Sequence, residues 1–232
     1  MSMRSALASE VCAYRGRVIR IVEAQHQIAT NRLATNADDQ ALLEALADDV
    51  KPLLPAAAHS LPWLLAAPFR YGLGRPSRFR AANVLPGIFY ASESIETAVV
   101  EAAHWRLIAF ARSPGFRHPS SPTQMSAFSV IVDSETALDL TRGELAKRSE
   151  DWLNPNDYDA TQALAAEARA IGIELLRAPS ARLSGGINLV VVEPKALVPP
   201  PKPHSSWAFL FQGNELIATR EIDGKAIRYK VV

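Results

Sequence analysis

Cysteine is almost missing from this chain of 232 residues. Cys12 stands alone, so no internal disulfide and no cysteine-based zinc site can form. Charge of one sign is missing too. The 25 Lys+Arg and 24 Asp+Glu leave a net charge of +1, which argues against a surface built to neutralise many phosphates of a nucleic acid. No apolar run approaches the roughly 18 residues that a membrane span needs. Met1 to Glu10 lacks a basic region followed by an apolar core, so no secretory signal is expected and a cytoplasmic location is the default. No internal repeat occurs. No Gly-rich phosphate loop and no G-x-S-x-G elbow is present. The five histidines, His26, His59, His104, His118 and His204, form no i,i+4 pair, so no metal site is expected.

Hydrophobic residues make up 48% and charged residues 21%, which places the chain among soluble globular proteins. The first part reads as helix. From Ser9 to Thr35, Val18, Ile21, Val22, Gln25, Ile28, Ala29 and Leu33 recur at spacings of three and four. Asn36 is a cap for a second helix carrying Leu42, Leu43 and Leu46, which Pro52 and Pro55 end. Residues 1–66 are therefore expected to be an N-terminal helical extension to a domain over 67–232. An apolar helical face of this kind must bury against the domain, a second copy or a partner protein.

From Phe69 onward the texture is mixed. Strands are expected at Ile88–Tyr90, Phe128–Val132, Leu138–Leu140, Ile173–Leu176, Ile187–Val192, Trp207–Phe211, Leu216–Arg220 and Ala226–Val231. Helices are expected after the cap Ser94 to about Phe110, and over Gly143–Leu153 and Ala160–Ala170, with Gly172 as a C-cap. Gly213-Asn214 and Asp223-Gly224 are turns, and Pro199 to Pro203 reads as a stiff loop. The pattern predicts α+β with largely antiparallel pairing.

One local absence is more informative than the total charge. Between Val50 and Ser92 there is no Asp or Glu, yet Arg70, Arg75, Arg78 and Arg80 fall in that span. Guanidinium forks match phosphate oxygens, so the stretch could line a phosphate pocket. It could equally be a solvated basic loop, or, with Phe69, Tyr71 and Phe79, a surface for single-stranded RNA. Glu101 has Thr97, Ala98, His104 and Trp105 as helical neighbours and no Lys or Arg at i±3 or i±4. Its carboxylate must be solvated or find a distant partner. Ser180, in Ala178-Pro179-Ser180-Ala181-Arg182, could orient a carboxylate or a sugar, or simply form a turn.

Together, Phe69-Arg70-Tyr71, Ser77-Arg78-Phe79, Gly87-Ile88-Phe89-Tyr90-Ala91, Thr97-Ala98-Val99-Val100-Glu101 and Pro179-Ser180-Ala181-Arg182 with Gly185-Gly186-Ile187-Asn188 resemble the RES-domain toxins. The helical front resembles the longer ParT type. This resemblance implies an α+β, ADP-ribosyltransferase-like fold with a mixed or antiparallel sheet core. It implies a toxin of a toxin–antitoxin pair that uses NAD as substrate, without metal, and transfers ADP-ribose to a protein acceptor. NAD phosphorolysis or hydrolysis is the alternative. A cognate antitoxin is the implied partner, and a homodimer stays open. By the matching positions, Glu101, Arg78 and Ser180 would be catalytic, and Arg70, Tyr71, Arg80 and Tyr90 would bind the dinucleotide. Arg80, beside the family arginine, departs from the usual small or polar residue, which leaves Arg78 and Arg80 as rivals for the diphosphate.

Overall fold

A computed structural model describes residues 3–24, 36–49, 51–72, 74–113, 115 and 119–231. The α+β expectation holds. Eight strands form one sheet in the order β1-β2-β5-β4-β3-β6-β7-β8. These are β1 (Val11–Glu23), β2 (Phe89–Ser92), β3 (Thr123–Asp139), β4 (Leu175–Pro179), β5 (Ile187–Val191), β6 (Leu197–Gln212), β7 (Glu215–Arg220) and β8 (Ala226–Lys230). Among the described strands only β3 and β4 run parallel. Because β1 also pairs with β3, the strands β1, β2, β5, β4 and β3 close into a ring, and β6 to β8 extend from β3.

The front of the chain corrects the sequence reading. Val11–Glu23 is not helical. It is a long strand paired with β3 from Val11↔Leu138 to Glu23↔Met125. Val18 is buried against one core cluster and Ile19 against another, so both faces carry apolar residues. A strand buried on two faces loses its period-two signature. The run Val18-Ile19-Arg20-Ile21-Val22 is rich in the β-branched residues that favour strands. The rest of the expected helix, residues 25–35, lies outside the described residues. The seven helices described are α1 (Met3–Ser9), α2 (Ala37–Asp49), α3 (Trp63–Arg70), α4 (Ile95–Ala111), α5 (Gly143–Ala146), α6 (Ser149–Leu153) and α7 (Asp159–Ala170). Asn36 does cap α2: its Oδ1 accepts from the Asp39 N–H at 2.8 Å. Leu42 and Leu46 of α2 remain exposed.

A further difference concerns proline. Pro199 to Pro203 lies inside β6, not in a loop, and pairs with β3 where the register shifts. Pro is tolerated at such irregularities because it has no N–H to offer the ladder. The stretch around Trp63 is the helix α3, whose Leu65, Ala66 and Phe69 are buried. Gly87 docks on the end of α3, donating its N–H to Phe69 O at 2.9 Å. A Cβ there would stand 2.1 Å from Pro68 O, so only glycine permits the approach.

Three apolar clusters fill the fold, on the two faces of the ring and beneath α4. A polar cluster fixes the β2–α4 junction. Arg177 of β4 bonds both oxygens of Glu93 at 2.7 and 2.9 Å, and reaches Asp139 at 3.2 Å and Thr141 at 2.6 Å. Tyr14 donates to the same Glu93 at 3.1 Å. Glu93 immediately precedes Ser94, whose Oγ accepts from the Thr97 N–H at 3.1 Å and starts α4. The start of α4, and with it Glu101, is held from two sides.

Candidate active site

β1 and β2 meet at one register pair, Ile19↔Ser92, and pair no further. The space that opens beside this contact, roofed by α4, is a cavity of about 620 Å³. Residues 98, 101, 102, 105, 106, 108 and 109 of α4, with Arg112 at its C-cap, line it as one helical stripe. At the rise of an α-helix, the stripe from Ala98 to Arg112 is about 21 Å long. Its volume falls within the range of small-molecule sites.

Glu101 faces this cavity. Ser180 donates its hydroxyl to Glu101 Oε1 at 2.6 Å, and Asn188 Nδ2 donates to the same oxygen at 2.5 Å. Ser92 Oγ donates in turn to Asn188 Oδ1 at 2.7 Å. The topology explains the meeting. Ser92 and Asn188 are opposite one another on β2 and β5, and Asn188 is opposite Ala178 on β4. Ser180 follows β4 directly, with its N–H on Gly186 O at 2.8 Å. Its Oγ also accepts the N–H groups of Arg182 and Leu183, both at 3.1 Å, so the hydroxyl proton is left for Glu101.

Arg78 reaches the cavity from a tight turn closed by Ser77 N to Arg80 O at 2.8 Å. Its guanidinium lies over the Phe79 ring, 5.1 Å from the centroid, and its Nη2 donates to Trp152 O. Its Nε is buried without a hydrogen-bond partner. Burial pushes Arg78 below the usual guanidinium range, and Glu101 offsets part of that push. The turn is gripped by α7: Thr161 Oγ1 donates to Arg78 O, and Gln162 Nε2 to Ser77 O at 2.9 Å. Thr161 and Gln162, in the first turn of α7, thus serve this turn.

Tyr90 also lines the cavity, but its hydroxyl is engaged. It bonds Ser77 Oγ at 2.8 Å and accepts the Phe79 N–H at 3.2 Å. Burial pushes the phenol up. Arg80 does not line the cavity. Its Nη1 donates to Gly72 O and to Ala81 O at 3.0 Å, and its Nη2 to Arg75 O at 2.7 Å, so its donors are spent on loop carbonyls. Arg70 and Tyr71 lie outside the lining as well. Arg70 sits over the Trp63 ring at 5.3 Å, and Tyr71 is 49% exposed.

The sequence reading missed Arg20. Its Nη1 donates to Tyr90 O at 2.6 Å across the gap between β1 and β2, and its guanidinium lies 5.1 Å from the Phe89 centroid. Its Nε is buried and unpartnered, and burial pushes its pKa down to about 10. In a segment expected to be helical, nothing directed attention to it. Asn188 and Ser92 were missed as well. Asn188 stood within a quoted motif but was given no role.

The cavity is therefore electropositive. Arg20, Arg75, Arg78, Arg106, Arg112 and Arg182 line it against two carboxylates, Glu23 and Glu101. Arg106 is paired with Glu23 at 2.6 Å. Two guanidinium groups that each bury an unpartnered Nε, in one cavity with a tethered carboxylate, suit a bound anion next to a centre of developing positive charge. Among the described residues no group of His, Cys, Asp and Glu could hold a metal ion. No helix among them is long and apolar enough to cross a membrane.

No curated protein matches the sequence. Among solved structures, the chain is similar to one described as the crystal structure of the M. tuberculosis MbcT-MbcA toxin-antitoxin complex. The TM-score is 0.51 at 14% identity, covering 88% of this chain and 90% of that one. The RES domain family matches residues 53–212, more than half of the chain. With the site assembled from residues inside that span and from Arg20 ahead of it, the protein belongs to the RES domain family.

Proposed function

We propose that this protein is an NAD-cleaving toxin of a toxin–antitoxin pair. It breaks the nicotinamide–ribose bond and passes ADP-ribose to a protein acceptor. The observation that carries the reading is Glu101, tethered by Ser180 and Asn188 in a cavity where Arg20 and Arg78 each bury an Nε without a partner. Loss of nicotinamide leaves oxocarbenium charge on the ribose. A fixed carboxylate stabilises that charge more in the transition state than in the ground state. It can also accept a proton from a ribose hydroxyl or an incoming nucleophile. Arg78 and Arg20 grip the diphosphate and place the bond against Glu101. Ser180 acts on Glu101, and Tyr90 acts by holding the Ser77–Phe79 turn. Arg70, Tyr71 and Arg80, which the family resemblance placed in the pocket, belong to its surrounding frame in this reading.

A protein acceptor would approach along the α4 stripe, where Trp105 is 38% exposed. An antitoxin seated over the same opening would inhibit the enzyme, and the similarity to a toxin in complex with its antitoxin supports such a partner. One observation favours a second reading, in which inorganic phosphate takes the ADP-ribose. Arg75, Arg112 and Arg182 line the cavity in addition to the two arginines assigned to the diphosphate. An RNA-binding module is disfavoured, since Arg78 and Arg80 are buried and form no surface strip.

The test is incubation with NAD labelled on the adenylate phosphate, with and without phosphate and cell lysate, and Glu101→Ala as control. Label on a protein band, lost in the variant, supports transfer. NAD loss that requires phosphate supports phosphorolysis. Intact NAD with purified, antitoxin-free protein refutes the reading.

A further inference from the structure

Glu101 is held by one oxygen. Ser180 Oγ and Asn188 Nδ2 both donate to Oε1, at 2.6 and 2.5 Å, and among the described residues Oε2 receives no hydrogen bond. The two donors differ in how they are fixed. Ser180 is set by the N–H groups of Arg182 and Leu183 on its Oγ. Asn188 is an amide that could turn over, presenting either a donor or an acceptor to the carboxylate. Glu101 on one side and Ser92 on the other remove that freedom together. Ser92 Oγ lies 2.7 Å from Asn188 Oδ1, and both residues are buried, at 2% and 7% exposure. The ionised Glu101 carboxylate only accepts, so Nδ2 faces it, and Ser92 supplies the proton that Oδ1 then needs on the other side. The backbone leaves little play, because Ser92↔Asn188 is a register pair of β2 and β5 and Asn188 is also paired to Ala178 of β4.

The geometry points to Asn188, locked by Ser92, as a positioning residue for Glu101. Together with Ser180 it occupies Oε1 and leaves Oε2 as the working oxygen turned to the substrate. A carboxylate with one hydrogen-bonded oxygen cannot rotate to exchange its two oxygens without breaking two charge-assisted bonds. The free oxygen then meets the ribose at a fixed angle, which lowers the ordering that the transition state would otherwise require. The consequence for NAD rests on the function proposed above; the network itself does not.

Two measurements separate these. The first needs no turnover: the side-chain amide of Asn188 is observed by 15N NMR. A charge-assisted bond to Glu101 moves one amide proton downfield and slows its exchange. Both effects are lost in Glu101→Gln and weakened in Ser92→Ala. An Asn188 amide with an ordinary shift that ignores both substitutions overturns the proposal. The second is steady-state NAD consumption. Asn188→Ala lowers kcat by about ten- to a hundred-fold, from the loss of a hydrogen bond to a charged group, with KM changed less than about three-fold. Ser92→Ala lowers kcat several-fold, and Ser92→Thr, which keeps the hydroxyl, restores part of it. A fall in kcat/KM carried by KM alone, or a melting temperature that falls in step with activity, overturns the positioning role. Wild-type protein that leaves NAD intact refutes the proposed function, while the amide signal still decides the network.

Discussion

Ser180 and Glu101 lie 79 residues apart in sequence and 2.6 Å apart in space, hydroxyl to carboxylate. Two separate structural devices bring them together. The β4–β5 hairpin presents Ser180, and the capped start of α4, tied to Arg177 through Glu93, presents Glu101.

Glu101→Gln keeps the shape and removes the charge, so NAD consumption is expected to fall by about a hundred- to a thousand-fold, the scale of losing one preorganised electrostatic group. The fold should survive. Ser180→Ala does two things. It weakens catalysis, and it strips the acceptor from the Arg182 and Leu183 N–H groups, costing about 1–3 kcal/mol of stability. Rates and urea midpoints of both variants check this, and a fully active Glu101→Gln contradicts it.

Arg78 and Arg80 are adjacent but one residue and differ in what they hold. Arg78→Ala should raise KM for NAD at least ten-fold with a modest change in melting temperature. Arg80→Ala should do the reverse. It leaves the carbonyls of Gly72, Ala81 and Arg75 without their shared donor and costs about 2–4 kcal/mol. Thermal melts beside NAD titrations decide between these assignments.

Arg20 is a half-buried charge with no ion-pair partner among the described residues, and its buried Nε is unmet. Such a group costs stability unless an anion joins it. Arg20→Met should therefore melt at the same temperature as the wild type or higher, while NAD binding weakens about ten-fold or more. NAD should stabilise the wild type against heat and fail to stabilise the variant. A variant that melts lower and binds NAD normally would assign Arg20 a purely structural role.

His104 follows Glu101 by one turn. Its Nδ1 lies 3.0 Å from the Tyr229 hydroxyl. Burial, then Arg182 and Arg112, push its pKa down to about 4 from an ordinary 6.5. The folded state thus resists the proton that the unfolded chain accepts. Below pH 6.5 the unfolded chain binds more protons, so stability falls as pH drops through the window from 6.5 to about 4. The slope contributed is at most about 1.4 kcal/mol per pH unit, less the share that solvent screens. Denaturation of wild type and His104→Gln across that window measures it. The variant should show a shallower loss, and identical slopes would contradict the assignment.

Local chemistry was legible from the amino-acid order. Ser94 and Asn36 cap helices because a short side-chain oxygen reaches the free N–H groups of the first turn, a contact made within three residues. Gly172, at φ +79, takes up the backbone that ends α7. The acid-free stretch pointed to arginines without nearby partners, and the family motifs pointed to Glu101, Arg78 and Ser180. Glu101 and Arg78 do line one cavity with Tyr90, and Ser180 joins it through its bond to Glu101, whereas Arg70, Tyr71 and Arg80 stand behind it.

Other features were set by segments distant in sequence. Residues 11–23 carry apolar side chains toward two cores, so their spacing mimics a helix until β3 is there to pair with. The prolines of β6 tolerate a strand only because β3 shifts register opposite them. Arg78 and Arg80 are alike in sequence. They part because loop carbonyls surround one and the cavity receives the other. The amino-acid order by itself determined where helices begin and which residue types carry the chemistry, because those depend on contacts a few residues long. The tertiary structure alone decided the strand at the front, the place of Arg20 in the cavity and the Ser92–Asn188–Glu101 chain. Their energies come from burial and hydrogen bonds among segments that only the closed sheet brings within reach.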